Sequence, residues 1–215
     1  MIGNIKKRIY TSLILFLLIY LIINFKFALI YSLIIFGILS IIEFLQMTNK
    51  IFVNRFYKYF FNLIFFTYIL GFFCYFFILT NFPQLKFIIY MLLFGCIASD
   101  IGGFIFGKIF KGPKLTRISP KKTYSGAVGS FFLTCLVVSI IFFIFTNNFN
   151  FLILFLSIMV SLGCQVGDLF FSFLKRTAKI KDSGNFLPGH GGVLDRIDGM
   201  LIGIPLGLIT IILIY

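Results

Sequence analysis

Acidic residues are scarce in this 215-residue sequence, and chemistry is to be expected where they occur. There are six of them, and five lie from residue 100 onward: Asp100, Asp168, Asp182, Asp195 and Asp198. A carboxylate inside a membrane segment costs roughly 2.5–3.5 kcal/mol, so such a residue is usually paired, hydrated or functional. Asp168 lies inside an apolar run and is the clearest candidate of the five.

Helical spacing groups these acids with other polar side chains. Asp168 and Ser172 are four residues apart and Lys175 follows three residues later, so one helical face carries an acid, a hydroxyl and a cation. Asp195 and Asp198 are three apart at the start of another apolar run, where the positive end of the helix dipole favours anions. Two aspartates on one face near a third on another helix can form a magnesium site, because this hard cation prefers carboxylate oxygens.

The same acids can instead serve a purely structural purpose, as members of ion pairs inside the membrane. Asp168 can pair with Lys175, and Asp195 can pair with Arg196 or Arg176. An ion or solute transporter would also use buried carboxylates, but such sites are expected near the bilayer midplane and often in paired repeats. Here the acids cluster toward one end of the long apolar runs and no internal repeat is visible, which favours an enzyme.

The segment between the predicted helix that carries Asp168 and the one that begins near Asp195 is rich in glycine and flanked by cations. It reads K-D-S-G-N-F-L-P-G-H-G-G-V-L-D-R-I-D over 181–198. Glycine allows positive-φ turns and close approach of backbone amides to an anion, and cationic side chains bind phosphate oxygens strongly. The loop therefore suits phosphate, with a solvated basic loop as the simpler alternative. His190, the only histidine, is expected to support binding, and Ser172 has no neighbouring base for a nucleophilic triad.

The composition predicts that these residues are positioned by membrane helices. Hydrophobic residues make up 60% of the chain and charged residues 12%, about half the roughly 25% that is typical of soluble domains. Apolar runs approach or exceed the roughly 20 residues that cross a bilayer. We therefore predict an all-α, polytopic helical bundle with about seven transmembrane helices, over 10–24, 27–46, 60–80, 85–107, 124–146, 151–174 and 193–215. The first two predicted spans are separated by about two residues, which indicates a tight helical hairpin or, alternatively, one long or broken helix.

Charge placement predicts the orientation. With a cytoplasmic N-terminus, seventeen of the nineteen Lys and Arg residues fall on the cytoplasmic side, as the positive-inside rule expects. The net charge of +13 therefore needs no nucleic-acid partner. Residues 48–59 mix basic and aromatic side chains and suit an interfacial helix on anionic lipid. No linker divides the chain, so we expect one membrane domain over 1–215, with N-terminal helices over 1–90 and catalytic helices and cytoplasmic loops over 91–215.

The densest segment resembles the signature of the phosphatidate cytidylyltransferase family. The matching residues span 27 positions: Ser172, Leu174, Lys175, Arg176, Lys181, Asp182, Gly184, Leu187, Pro188, Gly189, His190, Gly191, Gly192, Leu194, Asp195, Arg196 and Asp198. Upstream, Asp100 with Gly102, and the S-P-K-K-T run over 119–123 that leads to Gly126, agree as well. The family usually carries a glutamate where this chain has Phe171 or Ser125, and a hydroxyl residue where it has Ile101.

The resemblance implies attack by the phosphate of phosphatidic acid on the α-phosphorus of CTP, at the cytoplasmic face of a bacterial plasma membrane. It implies Mg²⁺, with a second metal ion left open, and a homodimer in membrane lipid. The residues that it makes catalytic are Asp168, Asp195, Lys175 and Arg176. The magnesium ligands that it implies are Asp168, Asp195, Asp198 and Asp182. Substrate binding falls to Ser119, Lys121, Lys122, Ser172, Lys181, His190 and Arg196. Asp100 is a further ligand or orients Lys122, and a related membrane enzyme acting on another lipid with a nucleotide stays an alternative.

Overall fold

A computed structural model describes residues 13–14, 16–116, 119, 122–186 and 191–214, and the structural statements below concern these residues. They fold into helices joined by short connections and two longer loops. The first helix, α1, is described over 16–24. The six that follow are α2 (Lys26–Ile51), α3 (Arg55–Thr80), α4 (Pro83–Phe110), α5 (Tyr124–Thr146), α6 (Leu152–Thr177) and α7 (Leu194–Ile214).

Helices α2 to α7 are each long and apolar enough to cross a membrane, judged by length and composition. They have 21–28 residues, which corresponds to about 32–42 Å at 1.5 Å per residue. Large apolar side chains such as Phe104, Phe132 and Ile212 are exposed on them, which suits contact with hydrocarbon rather than water. The predicted all-α membrane bundle is confirmed. Six of the seven predicted spans correspond to α2–α7, and the first lies partly outside the described residues.

The structure bears on two expectations near the N-terminal end, of which it decides the first between its two alternatives and contradicts the second. Only Phe25, in extended conformation, separates α1 from α2; this fits a broken helix, since a helical hairpin needs a loop of two to five residues. The prediction of a separate interfacial helix over 48–59 is wrong, because these residues are divided between the end of α2 and the start of α3. Residues up to Ile51 complete α2, and α3 begins at Arg55, because Asn54 Oδ1 accepts a hydrogen bond from the Phe56 backbone N–H at 2.9 Å and so caps the new helix.

Contacts divide the described chain into two units. The first comprises the residues up to Ile78 together with Leu174–Ile197. In this unit α2 packs on α3 through the stacked rings of Phe44 and Phe65, whose centroids are 3.8 Å apart. Thr48 Oγ1 also donates a 2.7 Å hydrogen bond to Asn62 Oδ1. The pairing of α2 with α3 therefore combines aromatic packing with a hydrogen bond between buried or half-buried polar groups.

The second unit comprises Leu79–Phe173 and the described residues from Asp198 onward. Here α6 and α7 meet at glycines spaced four residues apart on each helix. A Cβ at Gly163 would lie 2.7 Å from Gly203 Cα, and a Cβ at Gly167 would lie 2.5 Å from the Asp198 carbonyl oxygen. Small residues at this spacing let membrane helices approach closely. The approach fixes the part of α6 that carries Asp168 against the start of α7.

Candidate active site

The loop between α4 and α5 folds back on itself and thereby positions Lys122. Lys114 and Thr123 form an isolated antiparallel bridge, and the Leu115 N–H donates to the Lys122 carbonyl at 2.8 Å. Thr123 is the N-cap of α5, and its Oγ1 accepts a hydrogen bond from the Gly126 N–H at 3.1 Å. Lys122 is therefore held between a closed loop and a capped helix.

Lys122 forms an ion pair with Asp168. Its Nζ lies 2.8 Å from Asp168 Oδ2, and the two side chains are 28% and 25% exposed. The other oxygen, Oδ1, lies toward α7, since a Cβ at Gly199 would be 3.3 Å from it. The close approach of α6 and α7 thus leaves the Asp168 carboxylate between the Lys122 ammonium and the backbone of α7.

A second and more buried ion pair joins Lys175 to Asp195. Lys175 Nζ lies 2.6 Å from Asp195 Oδ1, with the side chains only 12% and 9% exposed. The other oxygen, Oδ2, accepts hydrogen bonds from the backbone N–H groups of Ser183 at 2.8 Å and Gly192 at 3.0 Å. One carboxylate therefore receives an ammonium and two amides, one from each side of the glycine-rich loop.

The structure adds to the candidate site an acid that the sequence reasoning missed, Glu43 of α2. Its side chain is fully buried. Oε1 accepts the Val193 N–H at 2.8 Å, while Oε2 accepts the Leu194 N–H at 2.9 Å and the Ser183 hydroxyl at 2.6 Å. Glu43 is the one acid of the chain that lies before residue 100. The cost argument applied to Asp168, a carboxylate inside an apolar run, would have singled it out as well.

The remaining predicted site residues differ in their surroundings. Asp198 is 8% exposed, and its Oδ1 accepts a 2.9 Å hydrogen bond from the Gly199 N–H. Ser119 and Ser172 are half-buried. Those exposed on the surface are Asp100, Arg176, Lys181, Asp182 and Arg196. Lys121 and His190 lie outside the described residues.

Asp168 and Asp195 do form ion pairs, but their partners are not the cations that local spacing predicted. Asp168 is paired with Lys122, which lies 46 residues earlier, and Asp195 with Lys175, which lies 20 residues earlier. Arg196 follows Asp195 directly in α7, so it points about 100° away around the helix, and it is exposed. Local spacing could not select the right partner because both pairs are made by chain reversals.

The donor set can be tested against a divalent cation. Carboxylate oxygens are the correct ligand type for Mg²⁺, but among the described residues no group of three or more His, Cys, Asp or Glu is placed to hold a metal. Both oxygens of Asp195 already accept hydrogen bonds, which suits an anchor better than a ligand. Asp168 fits a metal better, because the ion pair with Lys122 uses Oδ2. Convergence of the aspartates on one ion stays a prediction.

An apolar cavity of about 590 Å³ lies at the other end of helices α4 to α7. Its lining includes Pro83 and Phe87 near the start of α4, Leu152 at the start of α6 and Ile214 at the end of α7. None of its lining side chains is ionisable. Leu152 is sixteen residues before Asp168, about 24 Å along the helix, so the cavity is separate from the Lys122–Asp168 pair.

Fold and polar side chains together define a helical membrane protein whose charged groups and glycine-rich loop suit phosphate chemistry. The chain belongs to the cytidylyltransferase family, whose model matches residues 4–214. The expected resemblance is thereby confirmed.

Bacterial relatives named phosphatidate cytidylyltransferase are similar to the chain. The Helicobacter pylori protein is 41% identical over 133 residues, which cover 62% of this chain and 49% of the relative. The Rickettsia bellii protein is 41% identical over 126 residues, covering 54% of each chain. The Staphylococcus haemolyticus protein is 39% identical over 129 residues, covering 59% and 49%. The chain spans about half the length of these curated relatives.

Proposed function

We propose that this chain transfers CMP from CTP to phosphatidic acid, giving CDP-diacylglycerol and pyrophosphate for phospholipid biosynthesis. The observation that carries the proposal is the family match over residues 4–214, since it includes every polar group described above. The names of the similar bacterial proteins support the choice of lipid and nucleotide. Family membership also favours a transferase over the transporter alternative.

The reaction has simple bond changes. An oxygen of the phosphatidic acid phosphate forms a bond to the α-phosphorus of CTP, and the bond from that phosphorus to the bridging oxygen of the β-phosphate breaks. The electron pair of the broken bond leaves with pyrophosphate. The attacking oxygen is already anionic, so the protein needs no strong base and has mainly to align the two phosphates and neutralise their charge.

Lys122 and Lys175 are the described cations best suited to that task. Each is held by an aspartate, at 2.8 Å and 2.6 Å respectively, so its ammonium is positioned before substrate arrives. Lys122 precedes the first residue of α5 by two positions, and Lys175 lies in the last turn of α6. Helix ends are expected near the headgroup region, where a lipid phosphate lies.

The exposed cations are assigned to recruiting the anionic substrates. These are Arg176, Lys181 and Arg196, and Lys121 and His190 join them on the resemblance alone. Ser119 and Ser172 are assigned to hydrogen bonds with substrate. Phe171, Ser125 and Ile101 differ from the residues that the family usually carries at these positions. None of the cations and hydroxyls assigned here is among the differing positions.

We further propose that the enzyme uses Mg²⁺, with Asp168 as the ligand that its surroundings favour; Asp198, Asp182 and Asp195 are added on the resemblance alone. The ion would neutralise triphosphate oxygens. Asp168 would then have two duties, orienting Lys122 through Oδ2 and offering its remaining lone pairs to the cation. Asp195 contributes mainly by holding Lys175 and the loop.

The proposed location is a bacterial plasma membrane, crossed several times, with the N-terminus and the charged loops in the cytoplasm. The positive-inside rule supports this orientation, and CTP is a cytoplasmic substrate. A homodimer is proposed on the resemblance alone, and no nucleic-acid partner is expected.

The direct test uses purified protein in mixed micelles with phosphatidic acid, Mg²⁺ and CTP labelled at the α-phosphate. Labelled CDP-diacylglycerol should form, and it should be lost in Asp195→Asn and when Mg²⁺ is chelated. Replacing phosphatidic acid with other lipid phosphates tests the alternative of a related lipid–nucleotide enzyme. If folded wild-type protein forms no labelled lipid but concentrates a cation in sealed vesicles, the transferase proposal is wrong.

A further inference from the structure

The glycine-rich loop is held by two carboxylates that contact the same two stretches of backbone. Asp195 accepts the N–H groups of Ser183 and Gly192. Glu43 accepts the Ser183 hydroxyl and the N–H groups of Val193 and Leu194. Each carboxylate therefore bonds to the loop once near residue 183 and again at 192–194.

Glu43 reaches this loop from a distant part of the sequence. It lies 140 residues before Ser183 and 151 before Leu194. It is fully buried and Ser183 is 6% exposed, so water competes little for these hydrogen bonds. A buried carboxylate is tolerated when charge-assisted hydrogen bonds satisfy it, and three donors converge on Glu43.

The position of Glu43 also explains two glycines of the loop. A Cβ at Gly184 would lie 2.5 Å from Glu43 Oε1, and a Cβ at Gly192 would collide with Glu43 Oε2 and with Ser183 Oγ. Any side chain at either position would therefore push the Glu43 carboxylate away from its donors. The glycines that suggested a phosphate-binding loop are, at these two positions, required by close contact with α2.

We infer that Glu43 is a positioning residue, which acts through the loop to place Asp195 and its partner Lys175. The carboxylate lies at the first residues of α7, where the helix dipole favours an anion, and it fixes the backbone whose neighbouring amides receive Asp195. The kinetic side of this inference rests on the proposed function, while its structural side does not.

Glu43→Gln is the informative substitution because it keeps size and polarity. A glutamine side chain has one oxygen and one NH₂ group. If its oxygen takes the Oε1 position, the NH₂ faces the Leu194 N–H; if it takes the Oε2 position, the NH₂ faces the Val193 N–H. The Ser183 hydroxyl can rotate to accept instead, but one backbone donor is always left opposite another donor.

The experiment has a kinetic arm and a structural arm. The kinetic arm measures kcat and KM for CTP per folded molecule in the phosphatidic acid assay. Glu43→Gln should lower kcat by about 10²-fold, because a displacement of about 1 Å at a catalytic group has that effect, with KM little changed. The structural arm follows backbone hydrogen exchange over 181–186 and 191–194, without substrate, where the variant should lose protection.

Thr48→Val is the matched control. Thr48 is also buried in α2, five residues after Glu43, but its hydroxyl bonds to Asn62 rather than to the loop. This variant should lose stability while keeping kcat and the loop's exchange protection. Ser183→Ala provides a second test if Glu43→Gln does not fold, since it removes one donor and keeps the Ser183 N–H bond to Asp195. It should change both readouts in the same direction by less.

The outcomes separate the two proposals. An inactive wild type would refute the transferase activity, and hydrogen exchange would still decide whether Glu43 holds the loop. Wild-type kcat together with wild-type loop protection in Glu43→Gln would overturn the inference. A kinetic loss of equal size in Thr48→Val would show that Glu43 supports the fold generally, and would overturn it too.

Discussion

The ammonium of Lys175 lies 2.6 Å from Oδ1 of Asp195, and both side chains are almost closed to solvent. The same carboxylate accepts two loop amides through Oδ2. Asp195 therefore connects the end of α6, the loop and the start of α7. Changes at either member of the pair should affect folding and turnover together.

Breaking this pair at one end should be costly. Lys175→Met leaves the Asp195 charge buried without its cation, and losing one partner of a buried pair typically costs about 3–5 kcal/mol. The double variant Lys175→Met with Asp195→Asn should be more stable than the sum of the single losses predicts. Thermal unfolding of the four proteins in detergent measures this. Strict additivity would contradict a direct interaction.

The crossing of α6 and α7 should not tolerate a methyl group. A Cβ at Gly167 would lie 2.5 Å from the Asp198 carbonyl oxygen, which is backbone and cannot rotate away. Gly167→Ala should therefore destabilise the protein by about 1–3 kcal/mol and lower activity by moving Asp168. Gly71→Ala is the control, because a Cβ there meets nothing within 4 Å, and it should unfold at or slightly above the wild-type temperature. Similar unfolding temperatures for the two variants would refute the close approach.

Substitution of Lys122 should lower activity far more than substitution of Lys114, another lysine in the loop between α4 and α5. Lys122→Met removes the cation paired with Asp168, and we expect kcat/KM for CTP to fall by about 10²–10³-fold, as when one preorganised donor is lost. Lys114 is exposed and joins its bridge through the backbone, so Lys114→Met should retain most activity. Steady-state assays at fixed ionic strength compare them. Equal losses would mean that only net positive charge matters.

Thr123 should contribute to stability through its cap on α5. Thr123→Ala removes the acceptor for the Gly126 N–H and the partner of Ser125 Oγ, with an expected cost of about 0.5–2 kcal/mol. Thr123→Ser keeps the hydroxyl and should unfold near the wild-type temperature. An alanine variant as stable as the serine variant would show that the cap contributes little.

The fold was predictable because a bilayer imposes long apolar helices, and α2–α7 follow the apolar runs directly. The start of α3 at Arg55 was not predictable from the sequence. The first turns of this helix include Tyr57, Lys58 and Tyr59 and have the composition of an interfacial segment. What decided the boundary was a single capping contact from Asn54.

Two acids of the candidate site could be singled out from the sequence, but the cations that pair with them could not. Scarce acids and a family signature identified Asp168 and Asp195, but their cations come from 46 and 20 residues away. Glu43 was overlooked because it stands apart from the signature. Its hydrogen bonds to Ser183 and Leu194 are visible only in the folded chain, where chain reversal brings these residues to it.

The separation between Glu43 and its donors has a consequence for biogenesis. At roughly 5–20 residues per second of synthesis, Ser183, 140 residues later, follows Glu43 out of the ribosome after about 7–28 s. During that interval a carboxylate in an apolar helix has none of its eventual donors. We therefore expect the nascent chain to keep that group near the bilayer surface or within the insertion machinery until the loop between α6 and α7 has been synthesised.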